Sequence, residues 1–438
     1  MSSVKIVLIG AGSLNFGLGT CGSIFDSKIL AGAHVSLHDI NEENLNLARE
    51  ACQSKIDIEN LEFTLDASTN REESLIDADF IINSIEVGPR FYWWNLDKKI
   101  PWKYGSTQVF GENGGPGGMF HSLRVVPPIL DICEDIKRIC PNATLINYSN
   151  PMSRICLAIK RKYPDLKTIG LCHEIAAVDY MLPRVLKLAI EEVDLWCGGL
   201  NHMGAIIKAK HRETNEDLIP EIREKGAKFL KRWRWSFTSR LLHPVDLTLY
   251  ILENYGYVPY TNDSHYGEYI GWAKDKVNMR GIKNFYFLYR TGLRYRGWQI
   301  RYNIRRKKGH KLVKPDHERA IPIIEGILSN SGHQEMSVNL PNNGIIANLP
   351  EDSVIECPAI VDQSGVQGIP LGDYPEPLVD LLREEIGVQD LVVNAILHKS
   401  RDFAVQALQR DANFPRKDQI DAFLDEMLQL QKDWITLE

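Results

Sequence analysis

The chain of 438 residues lacks several features that mark special classes of protein. Its 8 cysteines are scattered and form no C-x-x-C pair, which argues against a structural zinc site and a disulfide framework. No apolar run approaches the roughly 18 residues of a membrane span, and the first residues lack the basic start and apolar core of a signal peptide. The net charge of -6 is mild and argues against nucleic-acid binding. We therefore expect a cytoplasmic globular protein without a membrane or nucleic-acid partner.

Strand-like and helix-like stretches alternate through the first 200 residues, which predicts an α/β fold with a doubly wound parallel sheet of the Rossmann type. We predict strands over 4–9, 34–40, 79–85, 144–149, 168–172 and 194–199, helices over 14–30, 42–59, 121–138 and 152–163, and a long loop from 86 to about 119. Such a sheet binds ligands at the carboxyl ends of its strands.

The second half is less regular and has one segment without acidic residues, 276–315, which is rich in arginine, lysine and aromatic residues. We interpret it as a solvated or subunit-contacting excursion, with contact between its arginines and an anionic substrate as the alternative. Residues 417–434 are predicted to form an amphipathic closing helix. Aromatic residues at 91–94 and Trp102 fall in the predicted long loop, where we expect a small core of their own or a subunit contact, with stacking on sugar rings as the alternative.

The segment 10–13, Gly-Ala-Gly-Ser, directly follows the first strand and predicts a dinucleotide site. Gly10 and Gly12 permit a tight turn beside a pyrophosphate, and Ser13 lies beside them. The third glycine of the G-x-G-x-x-G fingerprint is missing, because Asn15 stands there. Asp39 ends the next strand, where a carboxylate binds ribose hydroxyls and favours NAD over NADP. Ile40 and Asn83 are further cofactor-binding candidates, and an ordinary strand–turn–helix corner is the alternative.

Cys172 and His202 each close a short apolar run, so both are expected at the mouths of strands. A thiolate and an imidazole placed in this way can hold a divalent metal. A buried core thiol and a hydrogen-bonded histidine are the structural alternatives.

Several motifs carry a resemblance to a known family: Gly10-Ala11-Gly12-Ser13, Gly115-Pro116-Gly117-Gly118 before Leu123-Arg124, Asn150-Pro151, Gly170-x-Cys172-His173, Asn201-His202 and Asn342-Asn343-Gly344-Ile345-Ile346. In their order and spacing, over essentially the whole length, the chain resembles glycoside hydrolase family 4, the NAD- and metal-dependent glycosidases. Cys156 departs from the small Thr or Ala usual after Asn-Pro, but Cys is also small.

This resemblance implies a Rossmann NAD-binding domain over 1–200 and a lactate/malate-dehydrogenase-like α+β domain over 201–438 for substrate binding and oligomerisation, as a homodimer or homotetramer. It also implies hydrolysis of a small carbohydrate by an unusual route. NAD oxidises C3 of the sugar, a divalent metal, most simply Mn, assists removal of the C2 proton, the aglycone is eliminated, water adds at C1 and the hydride returns.

The resemblance also assigns site residues. Cys172 and His202 become the metal ligands, with the sugar's O2 and O3 completing the coordination. Asn150 and Asn201 are expected to contact the sugar. A second set of candidates comprises Asp263 as the C2 base with His265 and Tyr266 behind it, His173 as the leaving-group acid, and Glu112 as a sugar contact. A structural polar role is the alternative for each member of this second set.

The motif Cys172-His173-Glu174 most resembles the α-galacturonidase branch, with α-galactosidases next, so an α-uronide is the first substrate predicted. A neutral α-galactoside or α-glucoside follows, and then a 6-phospho-glycoside. The rival functions are an NAD-dependent 2-hydroxyacid dehydrogenase and a non-catalytic nucleotide sensor.

Overall fold

The computed structural model describes residues 4–438, and one sheet of eleven strands runs through the molecule. The strands are β1 (Lys5–Ile9), β2 (His34–His38), β3 (Thr64–Ser68), β4 (Phe80–Asn83), β5 (Thr144–Asn147), β6 (Thr168–Gly170), β7 (Val193–Leu200), β8 (Met203–His211), β9 (His333–Pro341), β10 (Val354–Asp362) and β11 (Gly365–Gly368). The order across the sheet is β3-β2-β1-β4-β5-β6-β9-β10-β7-β8, with β11 paired to β10.

The first six strands are parallel and give the predicted Rossmann-type sheet, so the α/β fold class is confirmed. Their apolar runs are buried on both faces, as in β1, where Ile6 and Val7 are fully buried. The chain order reverses between β1 and β4, which creates a crevice at the carboxyl ends of these strands. Ligand-binding loops are therefore expected at this edge.

The other five strands extend the sheet in the antiparallel sense. β9 pairs with β6 through Asn339 opposite Gly170, and β7 and β8 form a hairpin whose turn is Asn201 and His202. The strand predicted over 194–199 exists but is antiparallel, because it belongs to this hairpin. The domain boundary at residue 200 stays a prediction, and the sheet itself continues across it.

Sixteen α-helices cover the two faces of the sheet in the described part of the chain. They are α1 (Phe16–Asp26), α2 (Glu42–Glu59), α3 (Arg71–Leu75), α4 (Arg90–Lys103), α5 (Gly115–Ile139), α6 (Met152–Lys162), α7 (Ala177–Leu186), α8 (Ile219–Arg234), α9 (Phe237–Leu241), α10 (Asp246–Tyr255), α11 (Asp263–Tyr266), α12 (Met279–Arg305), α13 (Ala320–Ser329), α14 (Glu376–His398), α15 (Arg401–Arg410) and α16 (Ile420–Leu430). One core lies under α1, α2 and α13, and a second lies under α5, α6 and α14 to α16. None of the helices between residues 4 and 438 is long and apolar enough to cross a membrane.

One sequence prediction about these elements was wrong, and two elements were not predicted. The long loop from 86 to 119 contains α4 and the first turn of α5, and the strand β3 and the helix α3 were missed. The glycines at the start of α5 are not a flexible loop but close-packing positions, since a Cβ on Gly118 would lie 2.4 Å from the backbone of Asn113. β3 is an edge strand with no fully buried residue, and its alternating Leu65 and Ala67 are only partly buried against the core.

The basic segment 276–315 is mostly the long helix α12, and much of its surface is exposed. The closing helix predicted over 417–434 is confirmed as a short 3-10 turn followed by α16.

Candidate active site

Cys172 and His202 come together at the carboxyl edge of the sheet, as the sequence predicts. Cys172 follows β6, His202 lies in the β7–β8 turn, and the Cys172 Sγ and His202 Nε2 atoms are 3.2 Å apart. His202 has a left-handed φ of 63°, which is uncommon for a residue other than glycine. The hydroxyl of Thr261 donates to its carbonyl oxygen at 3.0 Å and helps to hold this turn. The backbone thus aims the imidazole at the thiol.

The two side chains suit a divalent cation. Burial raises the pKa of the Cys172 thiol well above its usual value, and the carboxylates of Glu356 and Glu174 raise it further. Burial lowers the pKa of His202 well below its usual value, as do His265 and His173, so its imidazole is neutral and can act as a ligand. A bound metal ion would stabilise the Cys172 thiolate and so offset the cost of burying its negative charge. The sulfur and nitrogen donors therefore fit a divalent transition metal.

Two asparagines near this pair offer oxygen atoms with no partner. The Oδ1 atoms of Asn150 and Asn201 are buried, and neither has a hydrogen-bond partner among the described residues. The amide nitrogen of Asn201 donates to Glu356 at 3.1 Å, and its backbone oxygen accepts from Tyr269 at 3.1 Å. Unpartnered buried acceptors are costly in a folded protein, so both asparagines are suited to receive hydroxyl donors from a ligand.

Asn113, which sequence reasoning missed, contacts the other nitrogen of His202. The Asn113 Nδ2 atom lies 3.1 Å from His202 Nδ1, and its buried Oδ1 has no partner. Exchange of the two amide atoms places the oxygen against Nδ1, where it accepts the imidazole proton. That arrangement leaves Nε2 unprotonated and free to bind a metal.

A cluster of one histidine and three glutamates adjoins the pair, with Glu112 and Glu268 buried and His265 and Glu174 partly exposed. Ligand atoms of Glu112, His265 and Glu268 all lie within 4.8 Å of one another, and His265 Nε2 lies 4.0 Å from Glu174. The ring centroids of His265 and His202 are 4.3 Å apart. Burial lowers the pKa of His265, but Glu268, Glu174 and Glu112 outweigh it and raise the pKa to about 9. His265 is thus a protonated imidazolium beside the metal-binding pair.

Two of these glutamates already accept hydrogen bonds from other groups of the protein. Glu268 accepts hydrogen bonds from the backbone N–H groups of Asn113 and Gly114 at 2.5 and 2.9 Å, and Glu112 accepts from Arg90 at 3.3 Å. The cluster therefore suits proton transfer and the positioning of Asn113. Glu112 is at the site as predicted, whereas Glu174, only two residues after Cys172, was overlooked as a candidate.

Asp263, which the resemblance suggests as the C2 base, has contacts that do not suit this role. Its carboxylate is fully buried and accepts hydrogen bonds from the backbone N–H groups of Leu247 and Thr248 and from the Thr248 hydroxyl, at 2.8, 2.9 and 2.7 Å. These are the first residues of α10, so Asp263 satisfies the free N–H groups of that helix. The geometry assigns it a capping role, at odds with the role of C2 base.

The remaining acid and base candidates lie outside the cluster. The side chain of His173 is 69 % exposed and faces Glu318 at 3.6 Å. Tyr266 is almost fully buried in the apolar core, and burial raises the pKa of its hydroxyl. Of the second set of predicted residues, the structure brings His265 and Glu112 into the cluster beside the metal-binding pair, while His173 follows Cys172 with an exposed side chain.

The predicted dinucleotide loop has the expected form. Gly10 has a φ of 89°, and the Gly12 N–H donates to Asp39 Oδ2 at 2.8 Å, so a Cβ on Gly12 would lie 2.6 Å from that oxygen. Ser13 is exposed, and the side chain of Ile40 is 91 % exposed at the same edge, where it offers an apolar surface for a planar base. These residues fit a dinucleotide.

Asn83, the last cofactor candidate, lies at the end of β4. Its amide donates to Asn147 Oδ1 at 2.8 Å and to the Ser149 hydroxyl at 3.3 Å, and it is fully buried. It links the ends of β4 and β5 at the floor of the crevice, while its own Oδ1 has no partner.

Comparisons with family models and with curated proteins agree with each other. The model of family 4 glycosyl hydrolases matches residues 5–188, and the model of the family's C-terminal domain matches residues 197–413. The chain is 40 % identical to an α-glucosidase of Erwinia rhapontici over 99 % of both chains. It is 29 % identical to an α-galacturonidase of Bacillus subtilis (strain 168) over 94 % of this chain and 93 % of the relative.

Solved structures show the same fold. A 6-phospho-α-glucosidase from gut microorganisms, in complex with NAD and Mn²⁺, superposes with a TM-score of 0.85 at 21 % identity over the full length of both chains. A lactate dehydrogenase from a deep-sea metagenome library superposes with a TM-score of 0.53 at 14 % identity, over 91 % of this chain and 100 % of the other. The second likeness agrees with the prediction that the fold resembles that of lactate and malate dehydrogenases.

Proposed function

This chain belongs to family 4 of the glycosyl hydrolases, and from that membership we propose that it hydrolyses α-glycosides with the help of bound NAD and a divalent metal, most simply Mn²⁺. The observation that carries the proposal is the convergence of Cys172 Sγ and His202 Nε2 at 3.2 Å. This pair lies at the same edge of the sheet as the loop with Gly10 and Gly12, because β1, β4, β5 and β6 are parallel neighbours.

Each cofactor has residues suited to it. Gly10, Gly12 and Asp39 would hold the NAD pyrophosphate and ribose, and Cys172 and His202 would hold the metal. When bound, the nicotinamide and the metal supply a hydride acceptor and a Lewis acid. Only two protein ligands are needed if the sugar hydroxyls complete the coordination.

The polar side chains around the pair would orient the sugar and move protons. Asn150 and Asn201 have free buried acceptors for sugar hydroxyls. His265 is protonated near neutral pH, so we assign it the proton delivered to the leaving-group oxygen. For the C2 proton the candidates are the carboxylates of Glu112 and Glu174, which border His265. Replacement of each by glutamine, with C2 deuterium exchange as the measurement, separates the two.

The relatives support α-glycosides as the class of substrate, but they differ in the sugar that they cleave. The relative at 40 % identity is an α-glucosidase, whereas the α-galacturonidase is at 29 %, so α-glucosides are the first substrates to test. The α-galacturonide predicted from Cys172-His173-Glu174 stays a prediction, as do the neutral α-galactoside and the 6-phospho-glycoside.

The test is a panel of p-nitrophenyl α-glucoside, α-galactoside, α-galacturonide and 6-phospho-α-glucoside, assayed with and without NAD and Mn²⁺. We expect hydrolysis of one member only when both are present, with no accumulation of NADH, and loss of activity in EDTA that added Mn²⁺ restores. Cys172→Ser should abolish turnover and keep NAD binding, while Cys140→Ser, a buried cysteine at the other end of the sheet, should behave like wild type. Full activity after exhaustive chelation, or stoichiometric NADH from a 2-hydroxyacid, would overturn the proposal.

A further inference from the structure

The long helix α12 is fully buried only near its two ends. Its buried residues are Gly281 and Ile282 in the first turn and Ile300 and Ile304 toward the last. None of the residues 283–299 between them is buried, although this stretch is rich in aromatic side chains. Helices in folded proteins gain most of their stability by packing an apolar face against other elements. The middle of α12 therefore presents apolar side chains that the chain itself leaves uncovered.

Exposed apolar side chains follow one side of this open stretch. The rings of Tyr295, Trp298 and Tyr302 stack in sequence, with centroids 6.0 and 5.4 Å apart, and these residues are 59, 58 and 42 % exposed. Leu288, which is 51 % exposed, lies seven residues before Tyr295 and so on the same side of the helix. A contiguous exposed apolar surface of this kind marks a site of protein contact. We call these four residues the aromatic stripe.

The distribution of charge indicates which partner suits the aromatic stripe. The segment 276–315, which contains α12, has many lysines and arginines and no acidic residue, whereas the whole chain has a net charge of -6. The rest of the chain is therefore strongly acidic. A second copy of the chain thus brings an acidic surface to this basic segment, together with an identical aromatic stripe.

The helix α2, which has more acidic than basic residues, lies beside the C-terminal end of α12. Arg301 on α12 donates to Asn44 on α2 at 2.8 Å, and Glu43 and Glu50 of α2 are exposed. Arg294 lies seven residues before Arg301 and therefore on the same side of α12. When two α12 helices pack antiparallel about a two-fold axis, each copy brings its α2 to the first half of the other α12 on this side. Arg294 then faces an acidic helix.

We propose that two copies of this chain form a dimer in which their aromatic stripes pack against each other, with the two α12 helices antiparallel about a two-fold axis. In such a contact the same surface is used twice, so Trp298 lies near its centre and is removed from water in both copies. Arg294 lies at its edge, opposite α2 of the other copy. The proposal does not depend on the glycosidase function, because its test is the mass of the protein and not its chemistry.

Size-exclusion chromatography with light scattering measures the mass of the full chain in solution. We expect about twice 49.8 kDa for the wild type. Trp298→Glu and Tyr295→Glu should each weaken association roughly a hundredfold or more, because each places a charge at the centre of the contact. Ile76→Glu is the matched control and should keep the dimer, since Ile76 is 54 % exposed but precedes β4 at the opposite edge of the sheet. Circular dichroism checks that all three variants are folded.

Charge reversal tests how the two helices are arranged. Arg294→Glu and Glu43→Lys should each weaken the dimer about tenfold, because each puts like charges opposite one another. The double variant Arg294→Glu/Glu43→Lys should associate like wild type, since opposite charges face each other again.

A wild type with the mass of one chain would overturn the proposal, and DNA binding by that monomer that is lost in Trp298→Glu would assign the aromatic stripe to nucleic acid instead. Association that persists in both Trp298→Glu and Tyr295→Glu would also overturn it, because the dimer would then use another surface. A double charge variant that associates no better than either single variant would contradict the antiparallel arrangement.

Discussion

At the residue scale, the role of each polar side chain in this protein depends on what faces it. Asp263 and Glu112 are both buried carboxylates, but Asp263 faces the backbone N–H groups of α10 and Glu112 faces Arg90 and His265. Cys172 and Cys140 are both free thiols, and only Cys172 has an imidazole nitrogen at 3.2 Å. The residue type limits which roles a side chain can have, and the groups that contact it determine which of these roles it takes.

Asn113 gives the first prediction at this scale. Asn113→Leu should raise the dissociation constant for Mn²⁺ about tenfold or more, because nothing then fixes the His202 proton on Nδ1. Titration of the Mn²⁺ electron paramagnetic resonance signal measures this directly, without turnover. Asn113→Asp retains an acceptor and should bind Mn²⁺ more tightly than Asn113→Leu.

The NAD affinity of these variants should be unchanged, since Asn113 does not belong to the loop at 10–13. Asn142→Leu, in an exposed turn before β5, is the control. An unaltered Mn²⁺ affinity in Asn113→Leu would show that Asn113 does not position His202.

At the element scale, most of the buried strands and amphipathic helices of the first half were predicted, whereas the edge strand β3 and the helix α4 were not. The α2 helix begins and ends where the spacing of Leu45, Ala48, Cys52 and Ile56 predicts. The sequence predicts a loop where α4 forms, because this helix contains Pro101 and its buried residues include the polar Asp97. Asp97 is buried only because Arg124 on α5 pairs with it, and this contact is decided in the tertiary structure.

The cap of α10 gives the second prediction. Asp263→Asn should destabilise the protein by about 1–2 kcal/mol at pH 5, because the amide has one acceptor oxygen where the carboxyl group of Asp263, protonated at this pH, has two. Burial raises the pKa of Asp263 to about 7, from its ordinary 3.8, so the folded protein binds this proton more tightly than the unfolded chain. Its contribution to stability is therefore lost as pH rises through about 7, and the gap between wild type and variant should narrow at pH 8.

Urea unfolding at pH 5 and pH 8 measures this gap. The kcat of the folded Asp263→Asn variant should stay within about threefold of wild type, since capping residues do not touch the substrate. A fall of more than a hundredfold in kcat with unchanged stability would restore Asp263 as the C2 base.

At the scale of the whole molecule, the end of the chain packs against its first half. The α14 helix contacts α5 and α6, and the buried guanidinium of Arg154 on α6 lies 3.2 Å from Glu385 on α14. The sheet likewise joins β6 to β9 and β10. We expect the described chain to unfold as one cooperative unit for this reason. The homo-oligomer and the cytoplasmic location stay predictions.

The Arg154–Glu385 pair gives the third prediction. Arg154→Met should cost about 2–3 kcal/mol at neutral pH, because Glu385, whose burial raises its pKa to about 8, is left buried without its hydrogen-bond partner. The double variant Arg154→Met/Glu385→Leu should recover most of this loss. Arg161→Met, on the same helix but with exposed partners, should cost less than about 1 kcal/mol.

Urea unfolding followed by both tryptophan fluorescence and circular dichroism measures these differences. The two signals should coincide in every variant. Separate transitions for the two halves of the chain, or a double variant no more stable than Arg154→Met, would contradict this account.

The sequence by itself determined the parallel sheet, the dinucleotide loop and the pairing of Cys172 with His202, because apolar periods, glycine positions and motif order are local properties of the chain. Only the tertiary structure decided that Asp263 caps a helix and that Asn113 and Glu174 join the site. These features arise from contacts between residues far apart in the chain. The free energies of these contacts depend on how deeply each side chain is buried and on which groups face it. Neither can be read from the order of residues along one segment.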